Sequence, residues 1–116
     1  MVPILKQGDV LIVSMQAALS DKDLLQLRDE LAQQVGQKRA RGVIIDLTAL
    51  DVLDSFATRT LRTIAYTARL RGAEAVVVGI QPDVAFAMVQ LGLSLEGIAT
   101  ALDLEEGLAH LRAQER

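Results

Sequence analysis

The chain opens with two short apolar runs, Ile4 to Lys6 and Val10 to Met15, separated by Gln7-Gly8-Asp9. Gly and Asp supply the backbone conformations of a tight turn, so this pattern predicts an antiparallel hairpin. Ser20 stands three residues before Asp23, a variant of the capping box, and Leu24, Leu27, Leu31 and Val35 follow at helical spacing. The spacing predicts an amphipathic helix from Asp21 to Gln37. Gly36 and the basic run Lys38-Arg39-Ala40-Arg41 end it, with charges that suit the negative end of a helix dipole. Val43-Ile44-Ile45 shows no polar alternation, as a strand covered on both faces requires, and it closes in Asp46. A second helix begins at Asp54 or Ser55, buries Ala57, Leu61, Ile64 and Ala68, and runs to Arg71-Gly72. Ala75 to Ile80 reads as another buried strand. Pro82 suits the first turn of a third helix that turns Val84, Met88 and Leu91 inward and stops at Gly92. A strand near Ile98 to Ala101 and a helix capped by Asp103 complete the chain.

The order is therefore ββαβαβαβα, an α/β fold with a mainly parallel sheet, right-handed crossovers and an N-terminal antiparallel hairpin. In such sheets the functional crevice is expected beyond the carboxyl ends of the parallel strands. Here those ends are Asp46 to Ser55, Gly79 to Pro82, and Thr100 to Asp103. No linker, repeat or low-complexity tract divides residues 1–116, and 116 residues at 51% hydrophobic content suffice for one core.

Twelve Lys and Arg against fifteen Asp and Glu give a net charge of −3, and the pI is near 5.0. That balance argues against a general binder of nucleic acid or anionic membrane. The absence of cysteine excludes disulfides, thiolate metal sites and cysteine nucleophiles. The N-terminus shows no signal-peptide pattern, Val2 stands where myristoylation needs Gly, and no apolar run approaches the ~18 residues of a membrane span. The expectation is a cytoplasmic protein.

Little in the chain supports catalysis. The lone histidine, His110, lies in the terminal helix, far in sequence from the strand ends, and neither a Walker-type nor a dinucleotide-type glycine loop is present. Asp46, Asp51 and Asp54 are close enough to share a loop and an oxygen-ligated divalent cation. They serve equally as acceptors for loop backbone donors and, for Asp54, as a helix cap. A phospho-aspartate receiver fails on three counts: Ser14-Met15 follows the early strand where an acidic pair is needed. Gly79-Ile80 then replaces the hydroxyl, and Ala101-Leu102 the Lys.

Ser55 is more informative. A hydroxyl in the first turn of a helix sits where unbonded N–H groups and the positive dipole end favour an added phosphate. Arg59 and Arg62 follow at i+4 and i+7 on the same side, while Asp51 and Asp54 would repel the new charge. The alternative makes Ser55 an N-cap and the arginines solvated ion-pair partners. Thr60, Thr63 and Thr67 form a stripe beside Phe56 that suits a partner surface, or else bond back to carbonyls one turn earlier.

Val43-Ile44-Ile45-Asp46-Leu47-Thr48 followed by Asp51-Val52-Leu53-Asp54-Ser55 resembles the phospho-switch region of STAS domains, the family of anti-sigma-factor antagonists. Gly79-Ile80-Gln81-Pro82-Asp83-Val84-Ala85, Val89-Gln90-Leu91-Gly92-Leu93 and the segment from Thr100 to Leu108 look more specifically like its stressosome branch. Sensor paralogues of that branch carry a large N-terminal domain, whereas this chain begins close to its first strand, which resembles the small RsbS-type scaffold subunit. The resemblance implies a single STAS domain without enzymatic activity or cofactor. It further implies phosphorylation of Ser55 by an RsbT-type switch kinase, co-assembly with RsbR-type sensor paralogues, and resetting by a metal-dependent serine phosphatase. Asp46, Asp51, Asp54, Phe56, Arg59 and Arg62 would then make up the phospho-loop and partner surface. Many antagonists read Asp-Ser-Ser/Thr-Gly, whereas Phe56-Ala57 follows Asp54-Ser55 here, which suits a particle subunit better than the simple antagonist cycle.

Two other classes stay open. One is a ligand- or nucleotide-binding STAS module of a transporter-associated complex, reading an anion at the strand ends. The other is a small metal-dependent hydrolase built on Asp46, Asp51 and Asp54.

Overall fold

A computed structural model describes residues 2–16 and 19–114. Strands β1 (Ile4–Gln7) and β2 (Val10–Ser14) form the expected antiparallel hairpin, with Ile4 opposite Val13 and Gln7 opposite Val10. Helix α1 spans Asp21–Gln37, and its capping box is closed in both directions. The Asp23 N–H donates to Ser20 Oγ at 3.1 Å, and the Ser20 N–H donates to Asp23 Oδ2 at 3.1 Å. Leu24, Leu27, Leu31 and Val35 are its buried face.

Strand β3 (Gly42–Asp46), helix α2 (Ser55–Leu70), strand β4 (Glu74–Val78), helix α3 (Pro82–Gln90), strand β5 (Ala99–Ala101) and helix α4 (Leu104–Gln114) follow. Val43, Ile44 and Ile45 are each fully buried, because helices cover both faces of β3. Strands β2 to β5 pair in parallel, with Ser14 level with Asp46 and Asp46 level with Val78.

The spatial order of the strands is their sequence order, β1-β2-β3-β4-β5. Each right-handed crossover thus steps to the adjacent strand in the same direction and leaves its helix on the same face. The larger core accordingly holds Leu11, Val13, Val43, Ile45 and Val77 against residues of α1, α2 and α3. A smaller one holds Val10, Ile12, Ile44, Val76 and Val78 against Leu111 of α4.

Three expectations are corrected. Strand β4 stops at Val78 rather than Ile80, because Gly79 takes a left-handed φ of +76°. Leu91 is 65% exposed, since α3 ends at Gln90 and two inward residues, Val84 and Met88, exhaust its buried face. Gly36 lies inside α1, and Arg39 rather than a glycine takes the left-handed position beyond it, at φ +50°.

Candidate functional site

The loop from β3 to α2 is held from below by three leucines, Leu47, Leu50 and Leu53, that are 1%, 8% and 5% exposed. Anchoring every third residue turns Thr48, Ala49, Asp51, Val52 and Asp54 to solvent. The backbone is tied as firmly. The Leu47 N–H donates to the Val78 carbonyl at 2.9 Å, and the Leu50 N–H to the Leu47 carbonyl at 3.0 Å. Gln81 Nε2 donates to the Thr48 carbonyl at 2.6 Å, joining the loop to the start of α3.

Asp46 is part of this scaffolding. Its Oδ1 accepts from the Thr48 N–H at 2.9 Å and from Thr48 Oγ1 at 2.6 Å, an Asx-type turn that starts the loop. The turn packs against Gly79, where a Cβ would collide with Thr48 Oγ1. Asp54 is the N-cap of α2: its Oδ1 accepts from the Ala57 N–H at 2.7 Å, and its carbonyl accepts from the Thr58 N–H and hydroxyl at 2.9 Å each. Asp51 is exposed and makes no side-chain hydrogen bond among the described residues. Among those residues no group of three His, Cys, Asp or Glu side chains is placed to hold a metal ion, so the three loop carboxylates do not converge.

Since Asp54 caps the helix, Ser55 is its first residue, exposed, with a hydroxyl that enters no hydrogen bond among the described residues. The N-cap role considered for Ser55 is thus filled by its neighbour. Beside it, between the loop and the start of α1, lies a cleft of about 350 Å³. Met15, Leu24, Leu53 and Ala57 contribute its apolar wall, and Asp21, Asp51 and Asp54 its acidic rim. Val52, 77% exposed, stands on the same loop.

Next to Ser55, Phe56 is half-buried against the larger core, and one turn along α2 Arg59 is exposed. Arg59 makes no side-chain hydrogen bond or ion pair among the described residues. Arg62 is engaged elsewhere: its Nη1 donates to the Ser94 carbonyl at 3.2 Å. The same stripe continues with Tyr66, whose hydroxyl donates to the Glu96 carbonyl at 2.7 Å, and Arg69, whose Nη2 donates to the Gly97 carbonyl at 2.6 Å. Three turns of α2 therefore pin the segment leading into β5. The sequence offered no sign of this, because the acceptors are backbone carbonyls about thirty residues away.

The threonine stripe divides. Thr60, 6% exposed, and Thr63, exposed, donate to the Phe56 and Arg59 carbonyls one turn earlier at 2.9 and 3.1 Å. Back-bonding therefore accounts for both. Thr48, Gly79 and Gln81 stood in the sequence only within longer motif segments; their part in building the loop depends on contacts between separate strand ends.

The STAS domain family model matches residues 1–107. RsbS of Moorella thermoacetica, solved with a serine-to-glutamate substitution, is 40% identical, with 99% of this chain and 97% of that chain covered at a TM-score of 0.86. A chain in a structure of the stressosome, described as a signal integration and transduction hub, is also 40% identical, with 98% and 99% covered at a TM-score of 0.84. The RsbT co-antagonist protein RsbRA of Bacillus subtilis is 24% identical over 100 residues, 86% of this chain and 36% of that protein. The chain spans about a third of the length of that curated relative.

Proposed function

The chain belongs to the STAS domain family, and from that premise we propose that it is a non-enzymatic stressosome scaffold subunit that holds an RsbT-type serine kinase and releases it when Ser55 is phosphorylated. The observation that carries this reading is the division of labour at the start of α2. Asp54 does the capping, so the exposed Ser55 hydroxyl is left to accept a phosphoryl group without unpicking the helix.

A phosphate there adds about −1.5 to −2 charges. The first-turn N–H groups and Arg59 attract it, while Asp51 and Asp54 repel it. A surface formed by Val52, Ser55 and the exposed edge of α2 would thus change from mildly acidic to strongly acidic. Moving a complex from mostly bound to mostly free takes a few kcal/mol, which a phosphate facing a partner supplies. The similarity to a chain in a stressosome structure supports assembly with RsbR-type paralogues, and the similarity to RsbRA, a co-antagonist of RsbT, supports the kinase as partner. A metal-dependent serine phosphatase would close the cycle.

The test is incubation of the purified chain with an RsbT-type kinase and ATP, with phosphate mapped by mass spectrometry in wild type and Ser55→Ala. One phosphate on Ser55, missing in the variant, together with kinase retained by Ser55→Ala and weakened by Ser55→Asp, is the expected result. Phosphate elsewhere, or a folded Ser55→Ala chain that no longer binds the kinase, would overturn the proposal.

A further inference from the structure

A second, wider cleft lies at the opposite pole, where the strands begin. It measures about 770 Å³ and is formed where α1, α2 and α4 end around the starts of β2, β3 and β4. Among the described residues its lining includes Arg39, Arg41, Arg69 and Arg71 and one carboxylate, Glu74. In a chain of net charge −3 this is a local excess of positive charge. Arg69 is already committed, to the Gly97 carbonyl at 2.6 Å, to Glu74 at 3.9 Å and to the Tyr66 ring at 5.9 Å. Arg39, Arg41 and Arg71 make no side-chain hydrogen bond or ion pair among the described residues.

Cations near helix C-termini have an ordinary role, since each terminus carries about −0.5 of an elementary charge. That role leaves the placement of these arginines unexplained. Three helices of this chain end in the same way, with the second residue beyond the helix in a left-handed conformation and two backward hydrogen bonds closing a Schellman motif. After α2, Gly72 donates to the Arg69 carbonyl at 3.0 Å and Ala73 to the Ala68 carbonyl at 2.8 Å. After α3, Gly92 and Leu93 repeat this at 3.2 and 2.9 Å. After α1 the bonds are the same, Arg39 to Gly36 at 3.3 Å and Ala40 to Val35 at 3.1 Å, but the left-handed residue is Arg39, at φ +50°.

The glycine expected there sits instead at 36, inside the last turn of α1, where Ala would favour the helix. A Cβ at Gly36 would collide with the Arg71 guanidinium, so its absence lets Arg71 lie against α1. Both positions thus hold the residue that is worse for local stability and better for presenting a guanidinium. A trade of that kind marks a functional site.

We propose that this cleft binds the dianion of a phosphate group, free or as the phosphomonoester of a small molecule, through Arg39, Arg41 and Arg71. Guanidinium forks match phosphate oxygens in pairs. The backbone offers no competing cradle, since the Arg41 N–H is held by the Asp9 carbonyl at 2.7 Å and the Glu74 N–H by the Arg41 carbonyl at 3.0 Å. The cleft volume falls within the range of small-molecule sites.

The test is calorimetry on the full chain with inorganic phosphate and with glucose 6-phosphate, alongside thermal unfolding. Saturable binding of at least one probe is expected. Equal affinities would assign the site to free phosphate, and a tighter ester to a small organic phosphate. Arg39→Gly is expected to raise the Tm of the free chain while weakening binding about tenfold or more, and Arg71→Gln and Gly36→Ala to weaken it similarly. No saturable binding of either probe up to about 10 mM would overturn the inference. So would unchanged binding in Arg39→Gly and Arg71→Gln, or a Tm of Arg39→Gly no higher than wild type.

Discussion

Asp54 and Ser55 are adjacent, and the carboxylate of the first frees the hydroxyl of the second. Because Asp54 Oδ1 takes the Ala57 N–H at 2.7 Å, α2 is capped without Ser55. Asp54→Ala is therefore expected to lower stability by about 1 kcal/mol, and Asp54→Ser to recover most of it. Ser55→Ala should stay within about 0.5 kcal/mol of wild type. Urea unfolding of the three variants checks this, and a Ser55→Ala loss as large as that of Asp54→Ala would show that Ser55 shares the capping.

Gly79 and Gly72 both have left-handed backbones, at φ +76° and +95°, but differ in their surroundings. A Cβ on Gly72 meets nothing within 4 Å, whereas one on Gly79 runs into Thr48 and Asp46. Gly72→Ala should cost about 1–2 kcal/mol from conformation alone. Gly79→Ala should cost a further ~1–3 kcal/mol, because the Asx turn must move. Equal denaturant midpoints for the two variants would contradict this account of the loop.

Tyr66→Phe removes only the hydroxyl that holds the Glu96 carbonyl. We expect a loss of about 0.5–1.5 kcal/mol. Faster amide exchange should be confined to residues 94–98 and β5. Exchange measured by mass spectrometry distinguishes this from a global effect, which would raise rates in β3 as well.

The Asp23 carboxyl is held below its ordinary range, first by the Ser20 backbone N–H and then by the Ser20 side chain. A carboxylate with a lowered pKa in the folded chain stabilises above its unfolded pKa, and the contribution disappears as pH falls through the folded value. The gap in urea midpoint between wild type and Asp23→Asn should therefore be wider at about pH 6 than below about pH 3. A gap that does not change with pH would show that the ionised form gains nothing from the capping box.

Much of this fold was legible in the chain, for local reasons. Helix α1 could be bounded because its cap and buried face lie within seventeen residues, and β3 because an unbroken β-branched run needs cover on both sides. Ser55 and its acidic neighbours could be placed together for the same reason. What stayed hidden is long-range. Arg62 looked available to Ser55, yet its acceptor Ser94 is 32 residues away. Nor does anything near Gly79 in sequence reveal that Thr48 fills the space beside it. The arginine cleft likewise arises only when three helix ends meet.

A sheet whose strands are laid down in the order in which they are made also sets a schedule for synthesis. Each new strand finds its neighbour already in place at the growing edge, and α1, α2 and α3 can dock as they emerge. The other side has to wait. Val10, Ile12, Ile44, Val76 and Val78 stay bare until Leu104–Gln114 arrives to cover them. A nascent chain halted before that last helix would present a sticky sheet face, the surface that chaperones recognise and that aggregation exploits.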